Sequence, residues 1–191
     1  MKRLLAAILV LITLSFAVTV PVRAASDGPR IIGLQLHQGE EAVLLSAKLS
    51  TEFTDEMLQA LRGGVPLTFR YRIRLTRKGT LLGERIVRDR ELVHNLEYDP
   101  VKQLFLFAGE GYGSELLEMT IKNEDEAIGW LTEINQWPMF PLDRLEKDTK
   151  YRVRVMATLR SVELPSVLGY LFFFTTIFNR ETPWVQLDFT Y

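Results

Sequence analysis

Five arginines in two segments of the chain are spaced so that together they could bind an anion. Arg70, Arg72 and Arg74 alternate with apolar residues, and Arg152 and Arg154 do the same in a later segment. Side chains at every second position of a β-strand lie on one face, and a guanidinium presents paired donors that match a carboxylate or a phosphate. If the two strands are neighbours, the five arginines form one surface for an anionic partner, such as lipid headgroups, a polyanion or an acidic protein face.

The same arginines have a second interpretation, which is a solvated sheet face. Like charges on adjacent strands repel unless acids lie between them. The acids that follow the first arginine segment are candidates to neutralise the arginines, and they are Glu84, Asp89 and Glu91. Both interpretations are compatible with the alternating pattern.

Patterns typical of catalysis or metal binding are absent from the sequence. There is no cysteine, and the two histidines, His37 and His94, are expected at the surface of strands, so a zinc site would need carboxylates to complete it. The segment from Gly109 to Gly113 has neither the spacing nor the lysine of a phosphate-binding loop, and no Gly-x-Ser-x-Gly motif occurs. We therefore expect no enzymatic activity, no metal and no cofactor.

The amino end has the pattern of a secretory signal. A basic head, residues 1–3, precedes an apolar run at residues 4–20, and Pro21 and a small-residue site ending at Ala24 follow. The alternative is an uncleaved anchor, because the run approaches the roughly 20 residues that span a bilayer. We expect a signal peptide at 1–24 and a periplasmic or secreted protein, tethered to the inner membrane if residues 4–20 are retained.

Composition limits the class of the remaining domain. Residues 1–24 hold three of the 23 basic residues and none of the 24 acidic ones, which leaves a net charge of −4. That balance argues against a nucleic-acid partner, since such proteins normally carry a basic excess. A chain that is 47% hydrophobic can form a core without disulfides. Residues 25–191 are expected to form a single domain.

Periodicity predicts about eight strands and two short helices. The first helix is expected to begin after Thr54 and to stop at Gly63 and Gly64, and the second to begin at Asn123 and to end at two Trp/Phe-Pro pairs. The second helix is expected to carry Ala127, Trp130, Leu131 and Ile134 on one face. The predicted strands are 31–38, 42–49, 67–77, 84–98, 102–108, 150–159, 170–178 and 184–191, and residues 116–121 are a candidate for a further short strand.

Hairpin-length spacing without βαβ alternation predicts a mainly β protein. The favoured architecture is an antiparallel β-sandwich with two short helices, and an immunoglobulin-like type is one option. The closing segment offers an alternative. Apolar residues at Val185, Leu187, Phe189 and Tyr191 resemble the last strand of outer-membrane barrels, so a small outer-membrane β-barrel is a competing hypothesis.

Several segments also resemble a family of small exported bacterial proteins known only as a domain of unknown function. They are Gly64-Val65-Pro66-Leu67, Arg90-Glu91-Leu92, Tyr98-Asp99, Tyr151-Arg152-Val153-Arg154-Val155, Leu164-Pro165 and Trp184. Members of that family are often encoded beside membrane-bound sensor histidine kinases. The resemblance therefore implies an accessory role near the inner membrane, and it implies no catalytic residue.

Three functions follow from these observations. The favoured one is a non-catalytic interaction or accessory module with a protein partner in the cell envelope. The second is a binder of a lipid or another apolar ligand, using the sandwich interior and the aromatic block at 170–178. A hydrolase is the third, and no nucleophile or metal pattern supports it.

Overall fold

The computed structural model describes residues 28–79, 83–113, 116–161 and 180–191. They form ten strands, two α-helices and a short 3-10 turn at Leu142–Arg144. The helices are α1 (Asp55–Arg62) and α2 (Glu124–Thr132). The strands are β1 (Arg30–Gln38), β2 (Ala42–Ser50), β3 (Leu67–Lys78), β4 (Glu84–Asp99), β5 (Leu104–Glu110), β6 (Leu117–Ile121), β7 (Glu133–Pro141), β8 (Lys150–Ser161), β9 (Arg180–Glu181) and β10 (Val185–Thr190).

The strands form two antiparallel sheets. The smaller sheet has the order β1-β2-β7, and the larger has the order β10-β8-β3-β4-β5-β6, with β9 paired to β8. The predicted fold class, mainly β with two helices and two sheets packed as a sandwich, is confirmed. Immunoglobulin-like connectivity stays a prediction. The predicted strand at 170–178 and the predicted signal at 1–24 lie outside the described residues.

One apolar core joins the two sheets. In β3 the residues that alternate with the arginines, Phe69, Tyr71 and Ile73, are almost completely buried. Leu45 and Trp137 of the smaller sheet belong to the same buried cluster. Because side chains alternate along a strand, burying the odd-numbered positions of β3 directs its arginines to the outer face of the larger sheet.

Side-chain caps define where the two helices begin. The Thr54 hydroxyl accepts a hydrogen bond from the Met57 N–H at 3.4 Å, and the Asn123 side-chain oxygen accepts one from the Glu126 N–H at 2.9 Å. Both caps were predicted from the sequence. Within the described part of the chain, no helix has the length and apolar character needed to cross a membrane.

The predicted end of the second helix is wrong. The helix stops at Thr132, and the residues expected to continue and then terminate it, from Ile134 to Pro141, form strand β7. Strand β7 lies at an edge of the smaller sheet. An edge strand tolerates proline because half of its N–H groups need no ladder partner, so Pro138 and Pro141 fit there.

Candidate functional site

The five arginines singled out in the sequence lie on one face of the larger sheet. Strands β3 and β8 are antiparallel neighbours, with Arg74 directly opposite Arg154 and Arg72 opposite Met156. Arg152 pairs with Thr76, the next outward position of β3. The structure therefore brings Arg70, Arg72, Arg74, Arg152 and Arg154 together on the solvent side of the sandwich.

Carboxylates of β4 hold the three arginines of β3. Arg70 binds Glu91 through Nη1 and Oε1 at 2.7 Å. Arg72 and Arg74 both reach Oδ2 of Asp89 at 2.9 Å. Hydrogen bonds from Arg72 and then Arg74 lower the pKa of Asp89, against the opposing effect of its partial burial. Asp89 therefore stays ionised and keeps the two guanidiniums close together.

Two other carboxylates hold the arginines of β8. Glu84 of β4 reaches across β3 to Arg152 at 2.6 Å and to Arg154 at 2.8 Å. Asp188 of β10 binds Arg152 at 2.6 Å and also contacts Lys78. Hydrogen bonds from Arg152 and Lys78 hold the pKa of Asp188 well below its usual range.

We call this set of side chains the arginine network. It consists of the five arginines, Lys78 and the carboxylates of Glu84, Asp89, Glu91 and Asp188. Six cations share four carboxylates, so the network has an excess of two positive charges. The acids expected on neighbouring strands are present, and they neutralise the arginines only in part.

Three members of this surface were not identified from the sequence: Lys78, Trp184 and Asp188. Trp184 directly precedes β10 and Asp188 lies within it, and the pairing of β10 with β8 brings both to the arginines. The guanidinium of Arg74 lies over the Trp184 ring, 5.5 Å from its centroid. The indole is 40% exposed, so an apolar contact point lies beside the cations.

The described surface includes two open grooves. One, of about 230 Å³, is lined by Lys78, Lys150, Asp188, Phe189 and Thr190, at one end of the arginine network. The other, of about 380 Å³, lies on the outer face of β4, β5 and β6 and includes Glu97 and Glu118. The first groove would admit an anionic group beside two lysines, whereas the second presents acids.

The expectation that His94 lies at the surface is wrong. His94 is completely buried, because α2 lies over this part of β4 and supplies a backbone carbonyl to it. Its Nδ1 lies 3.0 Å from the Leu131 oxygen and its Nε2 lies 2.7 Å from the Tyr112 hydroxyl. Burial lowers the pKa of His94 to about 4, so the ring is neutral at physiological pH.

The His94 cluster has the features of a structural network rather than of a reactive site. The Tyr71 hydroxyl donates to the same Leu131 oxygen at 2.8 Å, so His94 and Tyr71 share one acceptor. Burial raises the pKa of Tyr112 to about 12, which keeps its hydroxyl protonated and able to donate to His94. His37 is exposed on β1, as expected. Among the described residues, no three His, Asp or Glu side chains are grouped so that they could hold a metal ion.

Comparison with known families gives one match. A family model described as a domain of unknown function (DUF4390) matches residues 26–188. The match runs from just before β1 to Asp188 in β10, so it includes every member of the arginine network. No curated protein and no solved structure matches the chain.

Proposed function

Because the chain belongs to the DUF4390 family, whose description names no activity, we propose its function from the arginine network. The chain is a non-catalytic interaction module whose outer sheet face binds an acidic surface of a partner protein. The single observation that carries this proposal is the gathering of six cations and four carboxylates on one face of the β3–β8 pair.

Three properties of the network support binding to an acidic surface. All five arginine side chains are accessible to solvent in part, from 19% in Arg152 to 52% in Arg72. The carboxylates hold the arginines in fixed positions, which reduces the side-chain entropy lost when a partner binds. Trp184 beside Arg74 adds an aromatic contact, and arginine and tryptophan are both enriched in protein interfaces.

The setting of this interaction is the cell envelope in our proposal. The basic head, apolar run and small-residue site at residues 1–24 support export to the periplasm. The resemblance to exported proteins encoded beside sensor histidine kinases supports a membrane-bound kinase as the partner. If residues 4–20 remain uncleaved, they hold the module at the inner membrane, where such a kinase presents its periplasmic part.

The proposal is tested by affinity capture from crosslinked envelope fractions. We expect the unaltered chain to capture a discrete partner, identified by mass spectrometry. The variant with Arg72→Glu and Arg154→Glu should recover that partner at least about tenfold less, because both changes replace attraction by repulsion. Raising the salt concentration should also weaken capture by the unaltered chain, since exposed charges are screened.

A matched control separates loss of the surface from loss of the fold. The variant with Lys48→Glu and Arg62→Glu makes the same change in net charge and also removes two exposed ion pairs, with Glu133 and Glu124. Both variants should keep the circular dichroism spectrum of the unaltered chain. Equal capture of the same partner by both variants would refute the proposal.

A further inference from the structure

Strand β4 extends well beyond the strand that pairs with its outer edge. Its full length is Glu84–Asp99, but β5 pairs with it only from Val93 to Asp99. Gly111 lies against the backbone of Glu91, so close that a Cβ at Gly111 would be 2.5 Å from the carbonyl oxygen of Glu91. Among the described residues, no strand pairs with 84–90 on the side away from β3. Within the described part of the chain, the backbone N–H and C=O groups of these seven residues that point away from β3 therefore have no ladder partner and can pair with an added strand.

This edge carries three arginines that form no ion pair with any described residue. Arg88 pairs with Leu75 and Arg90 with Ile73, so both lie on the core-facing side of the sheet, together with Arg85. None of the three forms an ion pair with a described residue, in contrast to the arginine network. The Nε of Arg90 is buried without a hydrogen-bond partner.

Burial of Arg90 has an energetic consequence. Burial, and next the neighbouring Arg88, lower the pKa of Arg90. Both effects disfavour the charged form, so a carboxylate brought to this edge would stabilise the charges of Arg88 and Arg90, which no described acid pairs with.

We propose that residues 84–90 of β4 bind an extended acidic segment of a partner protein by β-strand addition. Backbone hydrogen bonds supply the pairing, and acidic residues at alternate positions of the segment meet Arg85, Arg88 and Arg90. Intervening residues cover Ile86, which is 54% exposed. The side chains that meet the segment lie on the core-facing side of β4, whereas Glu84 and Asp89 of the same strand point to the outer face and belong to the arginine network. The inference does not depend on the proposed function of that network.

Charge and backbone geometry favour this occupant over two others. A second copy pairing through the same edge would bring arginines against arginines. A lipid headgroup would satisfy the guanidiniums and leave the backbone groups unpaired. Only an extended acidic peptide satisfies both.

The inference is tested with a labelled peptide of alternating glutamate and threonine, about seven residues long. Its binding to the full chain in non-ionic detergent is followed by fluorescence anisotropy. We expect this peptide to bind at least about tenfold more tightly than its lysine–threonine counterpart and than a version with N-methylated backbone amides, which keeps the charge but cannot pair as a strand. Amide hydrogen exchange should slow within residues 84–90 when the peptide binds.

Two variants of equal charge change link binding to this edge. Arg85→Glu with Arg88→Glu should weaken peptide binding about tenfold or more. Arg30→Glu with Lys122→Glu changes two exposed cations elsewhere, neither ion-paired with a described residue, and should leave binding unchanged.

Three results would overturn the inference. Undiminished binding of the N-methylated peptide would exclude strand addition. Self-association through this edge, abolished by Arg85→Glu with Arg88→Glu, would assign the edge to a second copy. Binding to vesicles of phosphatidylcholine and phosphatidylglycerol, lost in the same variant while the peptide fails to bind, would assign it to a lipid surface.

Discussion

His94 shows how one buried side chain makes stability depend on pH. Both ring nitrogens lie within hydrogen-bond distance of a partner, one at the Leu131 carbonyl and one at the Tyr112 hydroxyl. The carbonyl can only accept, so Nδ1 carries the proton and Nε2 accepts from Tyr112. A second proton on the ring would remove the acceptor to which Tyr112 donates and would place a positive charge in the buried core.

We predict that the free energy of unfolding falls as the pH drops from about 6.5 toward 4. The folded-state pKa of His94 is about 4, below its ordinary value of 6.5, so the unfolded chain takes up the proton first. The stabilisation is complete above the unfolded-state pKa and decreases by about 3 kcal/mol across this interval. Urea unfolding at a series of pH values measures it.

Two glutamine variants separate this effect from other titrations. His94→Gln keeps a donor and an acceptor but cannot take up a proton, so its pH dependence in the same interval should be much smaller. His37→Gln, at the exposed histidine of β1, should retain the full dependence of the unaltered chain. An unchanged slope in His94→Gln would assign the effect to other groups.

Among the elements, β7 best illustrates the limit of sequence patterns. Residues Ala127, Leu131 and Ile134 have helical spacing, and all three are buried, yet Ile134 belongs to a strand. Helical spacing could not locate the change from helix to strand, because the last turn of α2 and the first residues of β7 bury apolar side chains in the same core. Pro138 and Pro141 predict a helix stop from the sequence alone, whereas their tolerance at a sheet edge depends on pairing between distant residues.

We predict that Trp137→Ala in β7 lowers the free energy of unfolding by about 3–5 kcal/mol, because it leaves a cavity in the joint core. Trp137 is 2% exposed, and its Nε1 donates to the Gly111 oxygen at 3.1 Å. Trp184→Ala, at an indole on the outer face, should cost no more than about 1 kcal/mol. Chemical denaturation compares the two, and similar losses would contradict the assignment of β7 to the core.

A pair of glycines provides a second prediction at the scale of elements. Gly111→Ala should destabilise the fold by about 1–3 kcal/mol, because this residue has φ of +90° and a Cβ would meet the Glu91 oxygen. Gly129→Ala in α2 should be neutral or stabilising by up to about 1 kcal/mol, since the added Cβ meets no atom within 4 Å. The midpoint temperature of unfolding should fall in Gly111→Ala and should stay the same or rise in Gly129→Ala.

At the scale of the whole molecule, the sequence predicted which residues share one face of a strand more reliably than which strands pair with each other. Alternation in β3 and β8 identified the outward arginines, because a strand has a period of two residues. It could not show that β8 lies between β3 and β10, or that Glu84 crosses β3 to reach β8. How far the carboxylates neutralise the arginines therefore depends on which distant strands pair. The burial of His94 depends in the same way on the packing of α2 over β4.

The same topology gives an acidic domain a local basic surface. The net charge outside residues 1–24 is −4, whereas the arginine network has two more cations than carboxylates. Opposite signs of global and local charge favour one orientation of approach to an acidic partner. This contrast is the basis of the proposed role of the outer sheet face.

Site-specific photocrosslinking in intact cells tests that role most directly. A photoreactive amino acid in place of Met156, which lies opposite Arg72 within the network, should give a crosslinked adduct of one discrete mass with an envelope protein. The same amino acid in place of Val101, 91% exposed in the β4–β5 turn, should not give that adduct. Absence of an adduct at Met156 in a folded, exported chain, or the same adduct at Val101, would contradict the account.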